Sequence, residues 1–156
     1  MSVENQSPQK TSSAPYRNTA QRIFTGIHAF VYRLSGGKLG GTFRKSPVLL
    51  LITTGRKTGK QRTTPLLYLR DGKNIVLVAS NGGAPKHPTW WLNLQTNPQA
   101  EVEIERQKLH MTAKQASAEE RQRLWPLLVD MYPDYAQYQK KTTREIPVVI
   151  LQPDEV

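Results

Sequence analysis

Between Pro47 and Ser80 three β-prone runs follow one another with only short turns between them, and this pattern restricts the fold more than any other part of the chain. The runs are Pro47 to Thr54, Arg62 to Leu69, and Asn74 to Ser80. The first two are separated by Gly55 to Lys60, and the last two by Asp71-Gly72, a strong hairpin signal. A parallel crossover needs a dozen or more residues, so neighbouring runs must pair antiparallel as a meander. Further along, Val102 and Ile104 alternate with Glu101, Glu103 and Glu105, which predicts a strand with one wet face and with Gln107 to Ala116 as its hairpin partner. Ile146 to Leu151 closes the pattern as a last strand, where Pro147 points to an edge or first-residue position.

Helices are expected in three places. Ile23, Ile27, Phe30, Val31 and Leu34 recur at helical spacing over Tyr16 to Leu34, with Arg17, Arg22 and Arg33 on the polar side and Gly36-Gly37 as the stop. Two readings are open for this segment: packing against its own domain, or lying on an anionic membrane surface. Thr89 to Thr96 is a short helix halted by Asn97-Pro98. A third helix starts at Ser117, where Ser117 and Glu120 fit the capping box, and Pro126 predicts a kink or a division into two helices. The expectation is a mainly β, α+β domain over residues 16–156: a small barrel or strongly bent antiparallel sheet with packed helices, preceded by a mobile tail at 1–15.

Composition removes several function classes. With 37% hydrophobic and 22% charged residues the 156-residue chain is within the globular range, and no run approaches the roughly 20 apolar residues of a membrane-spanning helix. Cysteine is absent, which excludes disulfides, thiolate nucleophiles and cysteine-ligated metal centres, and makes a cytoplasmic location the expectation. His28, His87 and His110 are too scattered to suggest a zinc site or a catalytic triad.

Charge placement is more informative than the net +10. Residues 1–70 hold 12 Lys/Arg and one acid, whereas residues 71–156 hold 10 Lys/Arg and 11 acids, so the whole excess lies in the first half. Arg56, Lys57, Lys60 and Arg62 crowd a glycine-bounded turn, an arrangement that implies an anionic ligand. The turn is not a nucleotide P-loop: three residues separate Gly55 from Gly59, and Lys60-Gln61 leads into a strand rather than a helix. From the residues alone, a solvated hairpin tip and a phosphate site both remain open. The loop Asn81 to Pro88, with Gly82, Gly83 and Lys86, offers a second place where backbone can approach a flat or phosphorylated ligand, and Trp90 and Trp91 follow it. Tyr132, Tyr135 and Tyr138 either line a pocket or form a half-buried helix face.

The ordered succession LITTGRKTGKQRTTPLLYLRDG, VASNGGAPKHPTWWLNLQTNPQAEV, WPLLVDMYPDYAQYQ and IPVVIL resembles the deazaflavin-dependent nitroreductase family, over roughly residues 20–153. That resemblance implies a split β-barrel, flavin-reductase-like fold and an oxidoreductase using reduced coenzyme F420, an 8-hydroxy-5-deazaflavin with a phosphodiester and an oligoglutamate tail. It implies that Lys57 and Arg62 meet phosphate, that Arg56, Thr58, Gly59 and Lys60 shape the turn, and that Thr64, Pro65 and Leu66 lie along the deazaflavin. Ser80, Asn81, Gly82, Gly83, Ala84 and Lys86 match the second cofactor loop, Trp90 closes the pocket, and Tyr132, Tyr135 and Tyr138 line the substrate side. Asn81 stands where some relatives have lysine, leaving Lys86 to compensate, and Leu67 replaces a tyrosine of the nitroreductase branch, so nitroimidazole reduction does not carry over. The expected partner is a small hydride acceptor such as a quinone, enone or nitroaromatic, with peripheral contact to anionic lipid through the N-terminal helix. No nucleic acid is expected, because no aromatics interleave with the basic cluster. A polyanion-binding module, or an FMN- or haem-binding relative of the same barrel, is the alternative.

Overall fold

The computed structural model describes residues 42–43 and 46–155. The tail and helix expected over residues 1–34 lie outside them. The described elements are β1 (Thr42–Phe43), β2 (Ser46–Thr54), β3 (Gln61–Leu67), β4 (Leu69–Asp71), β5 (Asn74–Val78), a 3-10 turn (Asn81–Gly83), α1 (Thr89–Thr96), β6 (Gln99–Ile104), β7 (Gln107–Gln115), α2 (Ala118–Met131), α3 (Asp134–Lys140) and β8 (Val148–Pro153).

All strand pairings are antiparallel, in the order β1-β2-β6-β7-β8-β5-β4, with β3 on the other side of β2. β3 and β4 are one stretch of chain interrupted only at Tyr68, whose N–H donates to the Pro47 carbonyl at 3.2 Å. The bend transfers the chain from β2 to β5, so the two edges of the curled sheet are joined covalently into a split barrel. The sequence predicts Arg62 to Leu69 as a single strand in the middle of a meander; the curvature of a closed sheet divides it into β3 on β2 and β4 on β5 instead. Because every pairing alternates in sense, the Gly55–Lys60 turn, the chain after Val78 and the chain leading into Val148 lie at one end. The Asp71–Gly72 turn and the β6–β7 turn lie at the other.

Two apolar clusters result from the period-2 alternation of side chains. Inside the curl, Leu49, Leu51, Ile75, Leu77, Val102, Met111, Val149 and Leu151 come from strands around the circuit and are covered by Trp90, Trp91 and Leu94 of α1. Outside it, Val76, Val78, Val148 and Ile150 meet Leu124 and Leu128 of α2 and Tyr132 and Tyr135 at the α2–α3 junction. β5 and β8 are therefore buried on both faces, which is why NIVLV and VVIL are continuous apolar runs rather than alternating ones. Each fully buried leucine or isoleucine here contributes about 1.5–3 kcal/mol of transfer free energy.

Some expectations are corrected. β8 lies between β7 and β5, not at an edge; Pro147 is tolerated because it precedes the strand, with its carbonyl accepting from Ala79 N–H at 2.9 Å. α2 runs unbroken through Pro126, and the separate α3 starts only after Pro133. Its capping box is present, with Ser117 Oγ accepting from Glu120 N–H at 3.2 Å and Glu120 Oε1 from Ser117 N–H at 3.0 Å. The wet face of β6 is incomplete: Glu103, in register with Leu50 on one side and Lys108 on the other, is only 7% exposed because β6 lies inside the sheet.

Candidate functional site

The basic turn is a backbone-closed loop. Gly55 N–H donates to Lys60 O at 2.7 Å and Gly59 N–H to Gly55 O at 2.8 Å. A Cβ at Gly55 would lie 3.0 Å from Thr58 Oγ1 and 3.1 Å from Lys60 O, so a larger residue would force the pinch to give by a few tenths of an ångström. Arg56, Lys57, Thr58, Lys60 and Arg62 are exposed, and among the described residues none of the four cations forms an ion pair.

What holds this turn in place is a residue that sequence reasoning passed over. Asn93, on the buried side of α1, accepts the Arg56 N–H on Oδ1 at 3.1 Å and donates from Nδ2 to Thr53 Oγ1 at 3.3 Å. Asn93 and Thr53 are each 2% exposed. The one available signal is an asparagine among Trp90, Trp91 and Leu94 in a short apolar helix, where a polar side chain needs a partner.

The second loop leaves β5 at the same barrel end. Ser80 is right-handed (φ −76°, ψ −36°), and Asn81, Gly82 and Gly83 follow with φ of 47°, 64° and 81°. A right-handed residue followed by a left-handed one turns successive amides, here those of Ser80, Asn81 and Gly82, to one concave side, the geometry that receives anions. Asn81 is one of the few residues that tolerates this conformation without being glycine. Its Nδ2 donates to the Lys86 carbonyl at 3.0 Å, so it closes the loop rather than pointing at a ligand, and the exposed Lys86 ammonium is the cation that remains there. A Cβ on Gly83 would come within 2.7 Å of the Tyr138 carbonyl, so this loop is seated directly on α3.

Arg144, which belongs to no motif, ties the loop down together with His87 of the loop itself. Arg144 donates to the carbonyls of Ala79, Ser80 and Ala84 at 3.3, 2.8 and 2.9 Å, and its Nη1 lies 3.1 Å from His87 Nδ1. Burial first, and the Arg144 charge second, push His87 below the ordinary imidazole range, so its ring is neutral and Nδ1 can accept.

The aromatic residues are more buried than a pocket lining requires. Trp90 is 6% exposed and meets Trp91 edge-on at 6.5 Å within the inner cluster. Tyr132, Tyr135 and Tyr138 form a triangle with ring centroids 5.0, 6.3 and 6.3 Å apart. Tyr132 and Tyr135 are buried and Tyr138 is half-buried, with the Tyr132 and Tyr138 hydroxyls 3.4 Å apart. Burial drives the Tyr132 and Tyr135 phenols well above their ordinary values, so both stay protonated at neutral pH. Thr64, Pro65 and Leu66 are half-buried on β3, opposite Leu51, Leu50 and Leu49.

The structure thus joins the glycine loop to the tyrosine helix, and the basic turn to α1. α1 itself continues from the glycine loop, with Trp91 N–H on the Pro88 carbonyl at 3.1 Å. An open surface cavity lined by Lys73, Asn74, Thr112, Gln152, Pro153 and Asp154 is at the opposite end of the barrel and takes no part in this grouping. Among the described residues no cluster of His, Asp and Glu could hold a metal ion.

Residues 24–153 match the model of a family described as F420H(2)-dependent quinone reductase. A Mycobacterium tuberculosis protein named an F420H(2)-dependent quinone reductase is 40% identical over 129 residues, 80% of this chain and 87% of the relative. Two solved structures are also similar. One, described as an F420-H2 dependent reductase, is 44% identical with a TM-score of 0.63, covering 68% of this chain and 94% of its own. The other, described as a domain-swapped dimer, is 38% identical with a TM-score of 0.66, covering 87% of this chain and 96% of its own.

Asn93→Leu leaves Arg56 N–H and the Thr53 hydroxyl without their partner and is expected to cost about 1–3 kcal/mol in urea unfolding. A second expectation concerns acid. An unfolded chain protonates His87 as pH falls past about 6.5, whereas the folded chain resists, so stability should be level above that pH and decline below it, down to the depressed folded value. His87→Gln should flatten that decline in a pH series of melting temperatures.

Proposed function

The chain belongs to the F420H(2)-dependent quinone reductase family, and on that footing we propose that it is an oxidoreductase that uses reduced coenzyme F420 to reduce a quinone or a similar electron-poor acceptor. The observation that carries the site assignment is the pairing of a concave run of amides, Ser80 to Gly82, with a basic turn at the same end of the barrel whose cations form no ion pair among the described residues. A strongly anionic cofactor fits both. Gly83, which leaves no room for a side chain against Tyr138, keeps this loop seated on α3.

When bound, the reduced deazaflavin supplies the hydride; the protein supplies binding, orientation and a dry pocket. Lys57 and Arg62 meet phosphate from the turn, and Arg56, Thr58, Gly59 and Lys60 form its walls. Ser80, Asn81, Gly82, Gly83, Ala84 and Lys86 supply the facing loop. Thr64, Pro65 and Leu66 give β3 a half-buried strip along which a flat ring system can lie. Trp90 acts from within the core, fixing the base of α1 rather than capping an open cleft.

On the acceptor side Tyr138, the most exposed of the three, is the phenol able to donate to a carbonyl oxygen, with Tyr132 and Tyr135 packed against its ring. Leu67 packs against the outer cluster that also holds Tyr132 and Tyr135, an apolar surface suited to a quinone and without the hydroxyl that a tyrosine would bring. Among the described residues no helix is long and apolar enough to cross a membrane. The basic amphipathic pattern of residues 16–34 supports a peripheral contact with anionic lipid, in which quinones dissolve.

Titration with reduced F420, followed by tryptophan fluorescence, tests the reading. Micromolar or tighter binding is expected, weakened about tenfold or more by Lys57→Ala and by Arg62→Ala, each of which removes one charge-assisted contact. Absence of binding at physiological salt overturns it, and a steep log-log loss of affinity for oligonucleotides with salt would favour a polyanion module instead.

A further inference from the structure

Arg144 stands in the connection between α3 and β8, in the sequence TTREIP, where neither periodicity nor motif singles it out. Its guanidinium nevertheless makes the densest set of side-chain contacts around the glycine loop. Nε donates to Ala84 O, Nη2 to Ser80 O, and Nη1 to Ala79 O, with His87 Nδ1 also in reach of Nη1. Its own backbone is fixed in turn: Gln139 of α3 donates from Nε2 to Arg144 O at 2.8 Å and accepts the Ile146 N–H on Oε1 at 2.9 Å. Arg121 of α2 donates to both Gln139 Oε1, at 3.2 Å, and Ile146 O, at 3.1 Å.

We propose that Arg144 is the positioning residue that holds the Ala79–His87 loop in its left-handed form, with the amides of Ser80 to Gly82 presented to the anionic part of the cofactor. The inference rests on the functional reading above and adds to it the group that sets the loop. A peptide unit is planar and trans, so its carbonyl and N–H point opposite ways. Arg144 draws the Ala79 and Ser80 carbonyls toward itself, and the N–H groups of Ser80 and Asn81, which belong to those same two units, are thereby turned away from it. Fixing the carbonyls orients the amides.

The residue type matters. A planar fork of five donors spans Ser80 O and Ala84 O at once, whereas an ammonium is a single point with three donors. Among the described residues Arg144 has no carboxylate partner in an ion pair, so its charge also adds to the positive potential of the loop. Because Gln139 and Tyr138 are on α3, the same contacts keep the loop in register with the tyrosine helix.

Arg144→Met and Arg144→Lys in the full chain test this with two readouts. By amide hydrogen exchange, Gly83 and Ala84, whose N–H groups bond within the loop, should exchange about tenfold or more faster in the methionine variant, with β2 and β8 amides unchanged. The dissociation constant for reduced F420 should rise about ten- to a hundredfold in Arg144→Met and less in Arg144→Lys. The ratio to wild type in Arg144→Met should stay well above one at high salt, since the positional part of the effect is not screened. A ratio that collapses toward one at high salt would make Arg144 only a nearby charge and overturn the proposal, as would unchanged exchange. If the methionine variant loses protection throughout, Arg144→Lys decides by the same criteria. Wild-type protein that fails to bind reduced F420 defeats the functional reading itself, whereas a binding wild type with indifferent variants defeats Arg144 alone.

Discussion

Everything at the functional end of this molecule depends on one bend. Between Leu67 and Leu69 the chain stops bonding to β2 and starts bonding to β5, and Tyr68, buried at the turn, fastens the corner to Pro47. Backbone groups in a sheet must find partners, so a strand that pairs with both edges commits the sheet to closing. The antiparallel pairings on either side of the bend set the sense of each strand, so the two loops rich in glycine and cations lie at the same end. A sheet left open at Tyr68 would keep them at that end but would not curl them onto the rim of one barrel.

The molecule also shows how polar side chains divide labour around an anion site. The exposed cations of the basic turn provide charge at long range and low cost, since water solvates them when no ligand is near. Geometry is provided from beneath: the buried Asn93 with Thr53 holds the turn, and the half-buried arginine of the α3–β8 connection bonds the loop. Charged tips are easy to arrange and tolerate motion; the buried amide and guanidinium contacts define where backbone N–H groups point.

Much of this was legible in the sequence, and the limits have physical causes. The hairpins, the capping box of α2, the short tryptophan helix and the last strand follow from turn chemistry and periodicity, which are local. The bend at Tyr68 and the central place of β8 are not local, because they depend on which strands the chain meets after closing. Glu103 was read as wet from its alternation, yet a strand flanked on both sides can bury either face. In the site, the residues with the right chemistry for ligand contact were identifiable by type and family pattern. Asn93, Arg144 and Gln139 were not, since each acts through partners from 5 to 65 positions away and carries no spacing signature.

Gly83 has no room for even a methyl group against the Tyr138 carbonyl. In terms of molecular history this couples two surfaces that could otherwise drift apart. A lineage that enlarged residue 83 would have to push α3 outward and with it the tyrosine rings, so the tyrosine face cannot be retuned independently of the Asn81–Gly83 turn. Diversification of this scaffold toward new acceptors is therefore channelled into the side chains around a fixed frame, of which position 67 is one, and away from the frame itself.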